Sequence, residues 1–128
     1  MDLAYEVAKY LDNANFGTLG TDIFAGQIPA DTNGIYVVRT GGQLSSYVPL
    51  EETVLDIYCK NTKASTCIET LEDVKRFIHR MHTTRTTNAY IYSILVIGDV
   101  EDVGRDLEYA KLYKVTISVI CRDTGLIS

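Results

Sequence analysis

Two strand-forming stretches decide the fold: Ala89-Tyr90-Ile91-Tyr92-Ser93-Ile94-Leu95-Val96-Ile97 and Leu112-Tyr113-Lys114-Val115-Thr116-Ile117-Ser118-Val119-Ile120-Cys121. Alternation with a period of two, together with many β-branched and aromatic residues, predicts a β-strand for each. Alternation divides the first strand into two rows, Ala89, Ile91, Leu95 and Ile97 on one face and Tyr90, Tyr92, Ile94 and Val96 on the other. Both rows are apolar, although a sheet with one solvated face carries polar residues there. We therefore expect helices to cover the first row and another subunit or a partner protein to contact the second row.

The segment between these strands, Gly98–Asp106, is acidic and contains two glycines. We interpret it as a connection that orders against a neighbouring protein, because crowded carboxylates repel one another unless solvent, a cation or a basic partner offsets the repulsion. Its candidate interface residues are Asp99, Glu101, Asp102 and Arg105. The spacing of a calcium-binding loop fails, since counting from Asp99 places Val103 at the fifth position and Ala110 at the twelfth, where a glutamate is required.

Helical periodicity predicts two helices. The first runs from about Asp2 to Ala14, and the second has a capping box of Thr66 and Glu69 at its start. The apolar stripe of the second helix is expected to comprise Ile68, Leu71, Val74, Phe77, Ile78 and Met81. Short strands are predicted at Ile23-Phe24, Ile35–Arg39 and Glu52–Lys60. We therefore predict an α+β fold with residues 1–128 in a single domain: a two-layer sandwich with a mainly antiparallel sheet of four to five strands and two helices on one face.

The composition is that of a folded domain, with 128 residues of which 46% are hydrophobic and 23% charged. A net charge of −5 argues against nonspecific binding to nucleic acid, which requires a basic surface. Three cysteines without a C-x-x-C pair are typical of reduced, buried thiols. Asp2 and Glu6 interrupt any leader-like segment, and no stretch approaches the roughly 20 apolar residues of a membrane span. We expect neither a leader nor a membrane segment.

Chemical motifs give no support for an enzyme. No G-x-S-x-G, H-E-x-x-H or Ser/His/Asp grouping is present, and the glycines from Gly17 to Gly20 lack the lysine of a phosphate-binding loop. His79 and His82 lie one turn apart, but no cysteine or carboxylate is placed to complete a metal site. We predict no catalytic residues, no metal and no cofactor.

Two blocks of sequence resemble a phage family. The first comprises Ile23-Phe24-Ala25-Gly26-Gln27-Ile28-Pro29 and Ile35-Tyr36-Val37-Val38-Arg39-Thr40-Gly41-Gly42, and the second comprises Ile97-Gly98, Glu101-Asp102-Val103-Gly104-Arg105 and the strand from Tyr113 to Val119. In this order they resemble the minor capsid and tail-completion proteins of tailed bacteriophages, including the tail terminators of long-tailed phages. The resemblance spans nearly the whole chain.

The resemblance implies a structural protein of the virion, assembled in the cytoplasm of the bacterial host. It implies a ring, typically hexameric, that terminates and caps the tail tube and joins it to the head connector. Its partners are then further copies of itself, the tail tube protein and the connector or stopper protein, while phage DNA passes through the lumen without specific binding. Alternatives are a head-completion or stopper protein of the phage neck and, from other classes, a nucleic-acid-binding α/β module or a small enzyme.

Overall fold

A computed structural model describes residues 3–26, 33–44, 51–79, 84–85, 89–105 and 111–123. The elements in chain order are α1 (Leu3–Asn13), β1 (Ile23–Ala25), β2 (Gly34–Leu44), β3 (Glu51–Asn61), α2 (Ala64–His79), β4 (Thr84–Arg85), β5 (Ala89–Arg105) and β6 (Lys111–Asp123). The strands form one sheet in the order β1-β2-β3-β6-β5-β4. Only the β1–β2 pairing is parallel among the described strands. The predicted α+β class is confirmed, with four long strands at the centre and a short strand at each edge.

The hydrophobic core lies between the two helices and one face of the sheet. Helix α1 packs against β1 and β2, and α2 packs against β3, β5 and β6. Leu55, Ile57, Val115 and Ile117 project from the two central strands into this layer, and each is at most 1% exposed. Because opposed residues of antiparallel neighbours share a face, the register of β3 with β6 aligns these side chains into continuous rows.

Helix α1 follows the predicted amphipathic pattern. Leu3, Val7 and Leu11 recur at helical spacing and are buried. An aromatic cluster joins this helix to α2: the ring of Phe77 stacks on Tyr10 with centroids 5.3 Å apart and lies at the same distance from Phe16. The helix layer is therefore a single packed unit over the sheet.

Helix α2 begins earlier than the capping box predicted. It starts at Ala64, so Thr66 lies inside the first turn and not at the N-cap. The side chain of Asn61 turns the chain out of β3, because its Oδ1 accepts a hydrogen bond from the Lys63 amide at 3.0 Å. The earlier start is accompanied by burial of Cys67, whereas Ile68 is 40% exposed.

Strand β5 is longer than the sequence predicted. The segment Gly98–Asp106, expected to be a connection, continues the strand as far as Arg105. Irregularities in its register with β6 fall between Ile97 and Glu101 and between Asp102 and Gly104. Positive φ angles at Gly98 (75°) and Gly104 (118°) permit these bulges. The glycines and carboxylates therefore mark bulges within a strand, and they were wrongly assigned to a loop.

Candidate functional site

A β-bulge at Tyr92 reverses which face of the sheet the following side chains of β5 lie on. Ile91 pairs with Cys121 and Ser93 pairs with the next residue, Ile120, so Tyr92 is an extra residue on β5. One extra residue moves every following side chain to the opposite face of the sheet. Ile94 and Val96 consequently pack against the core, where strict alternation had placed them on the outer face. The predicted outward facing of Ile94 and Val96 was wrong. The predicted placement of Ile91 in the core is confirmed.

Three large hydrophobic side chains of β5 and β6 lie on the outer face, Leu95, Ile97 and Ile120, and we call them the aliphatic row. Their exposed fractions are 65%, 46% and 39%. Leu95 and Ile97 are two residues apart on β5 and so share a face, and Ile120 lies opposite Ser93 on β6, beside Leu95. Both helices of the described chain pack on the other face of the sheet. Within the part of the chain that the structure describes, the sheet therefore presents a contiguous aliphatic surface to solvent.

A polar network lies beside the aliphatic row on the same face. Asp56 of β3 is 6% exposed and accepts a hydrogen bond from Thr116 Oγ1 at 2.6 Å. It also accepts one from the Tyr58 hydroxyl at 3.3 Å and lies 3.5 Å from Lys114 Nζ. Burial raises the pKa of Tyr58, and the negative charge of Asp56 raises it further. The network satisfies a buried carboxylate on the helix-free face and fixes the surface around it.

The three carboxylates predicted to dock together point to three different places. Asp99 lies 3.0 Å from Lys75 Nζ of α2, and the hydrogen bond from this lysine holds the pKa of Asp99 below its usual range. Glu101 lies on the helix-free face, 3.9 Å from Lys114 Nζ. Asp102 accepts a hydrogen bond from the Gly104 amide at 2.8 Å and so stabilises the second bulge. Of the three, Glu101 belongs to the surface that carries the aliphatic row.

Three other candidate interface residues are defined by backbone position. Tyr90 pairs with Arg122 of β6 and with Arg85 of β4, Tyr92 is the bulge residue, and Arg105 ends β5 opposite Lys111. Their side chains lie outside the described part of the structure. Their contribution to an interface stays a prediction.

Other chemistry is sparse in the described residues. They contain no group of three or more His, Cys, Asp or Glu side chains placed to hold a metal ion. Cys59, Cys67 and Cys121 are buried and form no disulfide, as predicted, and burial raises the pKa of both Cys59 and Cys67. A raised thiol pKa disfavours the thiolate that a nucleophile or metal ligand requires.

An open cleft of about 260 Å³ lies at the end of the sheet, between α2 and the start of β2. Asp22, Lys60, Asn61 and Thr66 are among the residues that line it. This mixture of one carboxylate, one ammonium and neutral polar groups selects no particular class of ligand.

The outward facing of Leu95 and Ile97 was missed by the sequence analysis, although a signal was present. Ser93 interrupts the row that strict alternation assigned to the core. A small polar residue in the middle of a buried row indicates a change of phase, which a bulge supplies.

These features define a class: a small α+β protein whose described helices cover one face of the sheet, while the other face carries exposed aliphatic side chains near a long, bulged hairpin. The sequence profile of the bacteriophage tail terminator protein family matches residues 10–123. The chain belongs to this family and is a structural component of the phage tail. A search of curated proteins gives no significant match. None of the described helices is long and apolar enough to cross a membrane.

Proposed function

We propose that the protein forms a ring, of six copies, at the head end of the phage tail. The ring ends polymerisation of the tail tube and joins the finished tail to the head connector. Membership of the tail terminator family over residues 10–123 is the observation that carries this proposal. The aliphatic row supports it, because exposed contiguous apolar surface on a small domain marks a contact site for another protein.

The overall charge supports a position around the DNA channel. A net charge of −5 means that a lumen lined by this chain does not bind the phosphates of DNA as it passes. Copies of the chain, the tail tube protein and the connector protein are therefore its proposed partners. The proposed site of assembly is the cytoplasm of the bacterial host, and the proposed final location is the neck of the virion.

Imaging and complementation test this function. Purified protein, alone and mixed with tails assembled without it, is examined by electron microscopy for rings and for capped tube ends. Tails assembled without the protein should vary in length or overgrow, and adding the protein during assembly should restore a single length. Absence of rings in both preparations, or tails of normal length without the protein, would contradict the proposal.

A further inference from the structure

We propose that Cys59 and Cys67 form a redox pair, in which two-electron oxidation by a small peroxide joins the two sulfur atoms in a disulfide. Cys59 lies near the end of β3, and Cys67 lies at the start of α2. The disulfide fixes the first turn of the helix to the sheet. This inference goes beyond the proposed function, and its test does not depend on ring formation.

The first step is the contact between the two side chains. The turn at Asn61 brings the start of α2 back over β3, the strand that the chain has just left. The thiol of Cys67 donates a hydrogen bond to the carbonyl oxygen of Cys59 at 3.4 Å. The two side chains also hydrogen-bond to each other. A disulfide requires two cysteines that are close and directed toward each other, so this pair needs little movement to form one.

The second step is access for the oxidant. Cys59 is 4% exposed and Cys67 is fully buried. Cys59 nevertheless lines the open cleft of about 260 Å³ at the end of the sheet, together with Thr66 and Thr70 of α2. The side chain of Thr70 hydrogen-bonds to that of Cys59. A cleft of this volume holds several water molecules, so hydrogen peroxide can enter it, whereas a bulky reagent cannot follow as far as the buried sulfur.

The third step is the chemistry. The Cys59 sulfur loses its proton to water and attacks one oxygen of hydrogen peroxide. The O–O bond breaks, Cys59 becomes a sulfenic acid, and the departing hydroxide takes up a proton and leaves as water. The Cys67 sulfur then attacks the Cys59 sulfur, so that the S–S bond forms, the S–O bond breaks and a second water leaves. The two thiols lose two electrons and two protons in total, and one peroxide is reduced to two waters.

The fourth step is the condition under which this reaction occurs. Burial raises the pKa of both thiols, so little thiolate is present near neutral pH and the reaction is slow there. Cytoplasmic reductants keep thiols reduced, whereas disulfides persist at the surfaces of virions. A phage tail protein meets both environments. We therefore expect the pair to be reduced while the protein is made and to be oxidised slowly in released particles.

The third cysteine supplies a matched control within the chain. Cys121 lies on β6 opposite Glu51, whereas Cys59 lies opposite Tyr113 of the same strand. The eight residues from Tyr113 to Cys121 span about 26 Å of extended strand. Cys121 therefore cannot form a disulfide with Cys59 in the folded chain.

The experiment treats the reduced, purified protein with hydrogen peroxide, blocks the remaining thiols by alkylation and maps the products by peptide mass spectrometry. The parent and the Cys121→Ala variant should both form the disulfide between Cys59 and Cys67. The Cys67→Ala variant should form no disulfide within the chain. Thermal melting checks that each variant folds, and the map of the parent decides the question if Cys67→Ala does not fold. The rate should rise about tenfold between pH 7 and pH 8, because the thiolate fraction does.

Melting of the two redox forms tests whether the bond fixes the helix. The oxidised parent should melt about 5–10 °C above the reduced parent, and dithiothreitol should reverse the difference. Cys121→Ala should show the same shift, and Cys67→Ala should show none. Recovery of both thiols unchanged, oxidation of either cysteine without a bridge, or a bridge to Cys121 would overturn the inference. An oxidised form that melts no higher than the reduced form would overturn the stabilising role of the bond. Each of these results leaves the proposed function intact, because rings and capped tubes are measured separately.

Discussion

Replacement of Leu71 by alanine tests the helix–sheet core most directly. Leu71 lies in the middle of α2 and is fully buried, as are Cys67 and Val74 on the same stripe. Truncation removes three carbon atoms from the core, a transfer cost of about 2–3 kcal/mol. The helix packs on three strands and cannot readily collapse into the space, so the cavity raises the total to about 3–4 kcal/mol.

The matched control for this substitution is Ile68→Ala. Ile68 lies on the same helix but is 40% exposed, so its truncation should cost no more than about 1 kcal/mol. Urea denaturation measures the free energy of unfolding of both variants. In thermal melts of a domain of this size, the loss in Leu71→Ala should lower Tm by about 10–15 °C. If both substitutions cost the same, the helix is rotated from the described facing and the argument fails.

Two further predictions concern β2 and β3. Gly34→Ala should destabilise the fold by about 1–3 kcal/mol in urea denaturation, because an added Cβ would meet the carbonyl oxygen of Asp22. That oxygen cannot readily move away, since it already accepts a 2.7 Å hydrogen bond from the Ile35 amide. Unchanged stability would contradict the close approach of Gly34 to Asp22. The pKa of Tyr58 is raised in the folded chain above 10.0, the value for the unfolded chain. The neutral hydroxyl therefore contributes its full stability below pH 10.0, and this contribution is lost as the pH rises through the higher pKa of the folded state. Tyr58→Phe should therefore lose less stability than the parent in melts recorded above pH 10.0, and parallel losses would show that Tyr58 is not responsible.

The helices and the class of fold were predictable from the sequence because each rests on a periodic apolar pattern. Leu3, Val7 and Leu11 define α1 by spacing alone, and their burial confirms it. The start of α2 was not predictable from the capping box, because the side chain of Asn61 turns the chain before Thr66 is reached. A cap depends on one local hydrogen bond, whereas a stripe depends on many contacts.

The candidate surface was predictable only in part. The sequence predicted apolar residues on both faces of the strand that became β5, paired with β6. The aliphatic row does lie on these two strands. Which residues face outward depends on one extra residue at Tyr92. The rule of strict alternation makes no allowance for an extra residue, and the interruption at Ser93 was the one sign of it in the sequence. The separation of Asp99 from Glu101 also required the structure, because the bulge at Gly98 directs Asp99 toward Lys75 of α2.

The bulge at Tyr92 also affects how this protein can evolve. Beyond it, neighbouring positions on β5 are under different selection: Ile94 and Val96 must suit the core, whereas Leu95 and Ile97 face outward. Substitutions at the outward positions can therefore accumulate in step with a changing neighbour while the fold is preserved. Deletion of Tyr92 itself would remove the bulge and leave Ile94 facing the core and Leu95 facing outward, whereas deletion of one residue after the bulge would exchange the two sets from that point on. Changes in binding specificity are thus expected to arise by substitution on this strand, and insertions or deletions are expected to be excluded from the part of it that follows the bulge.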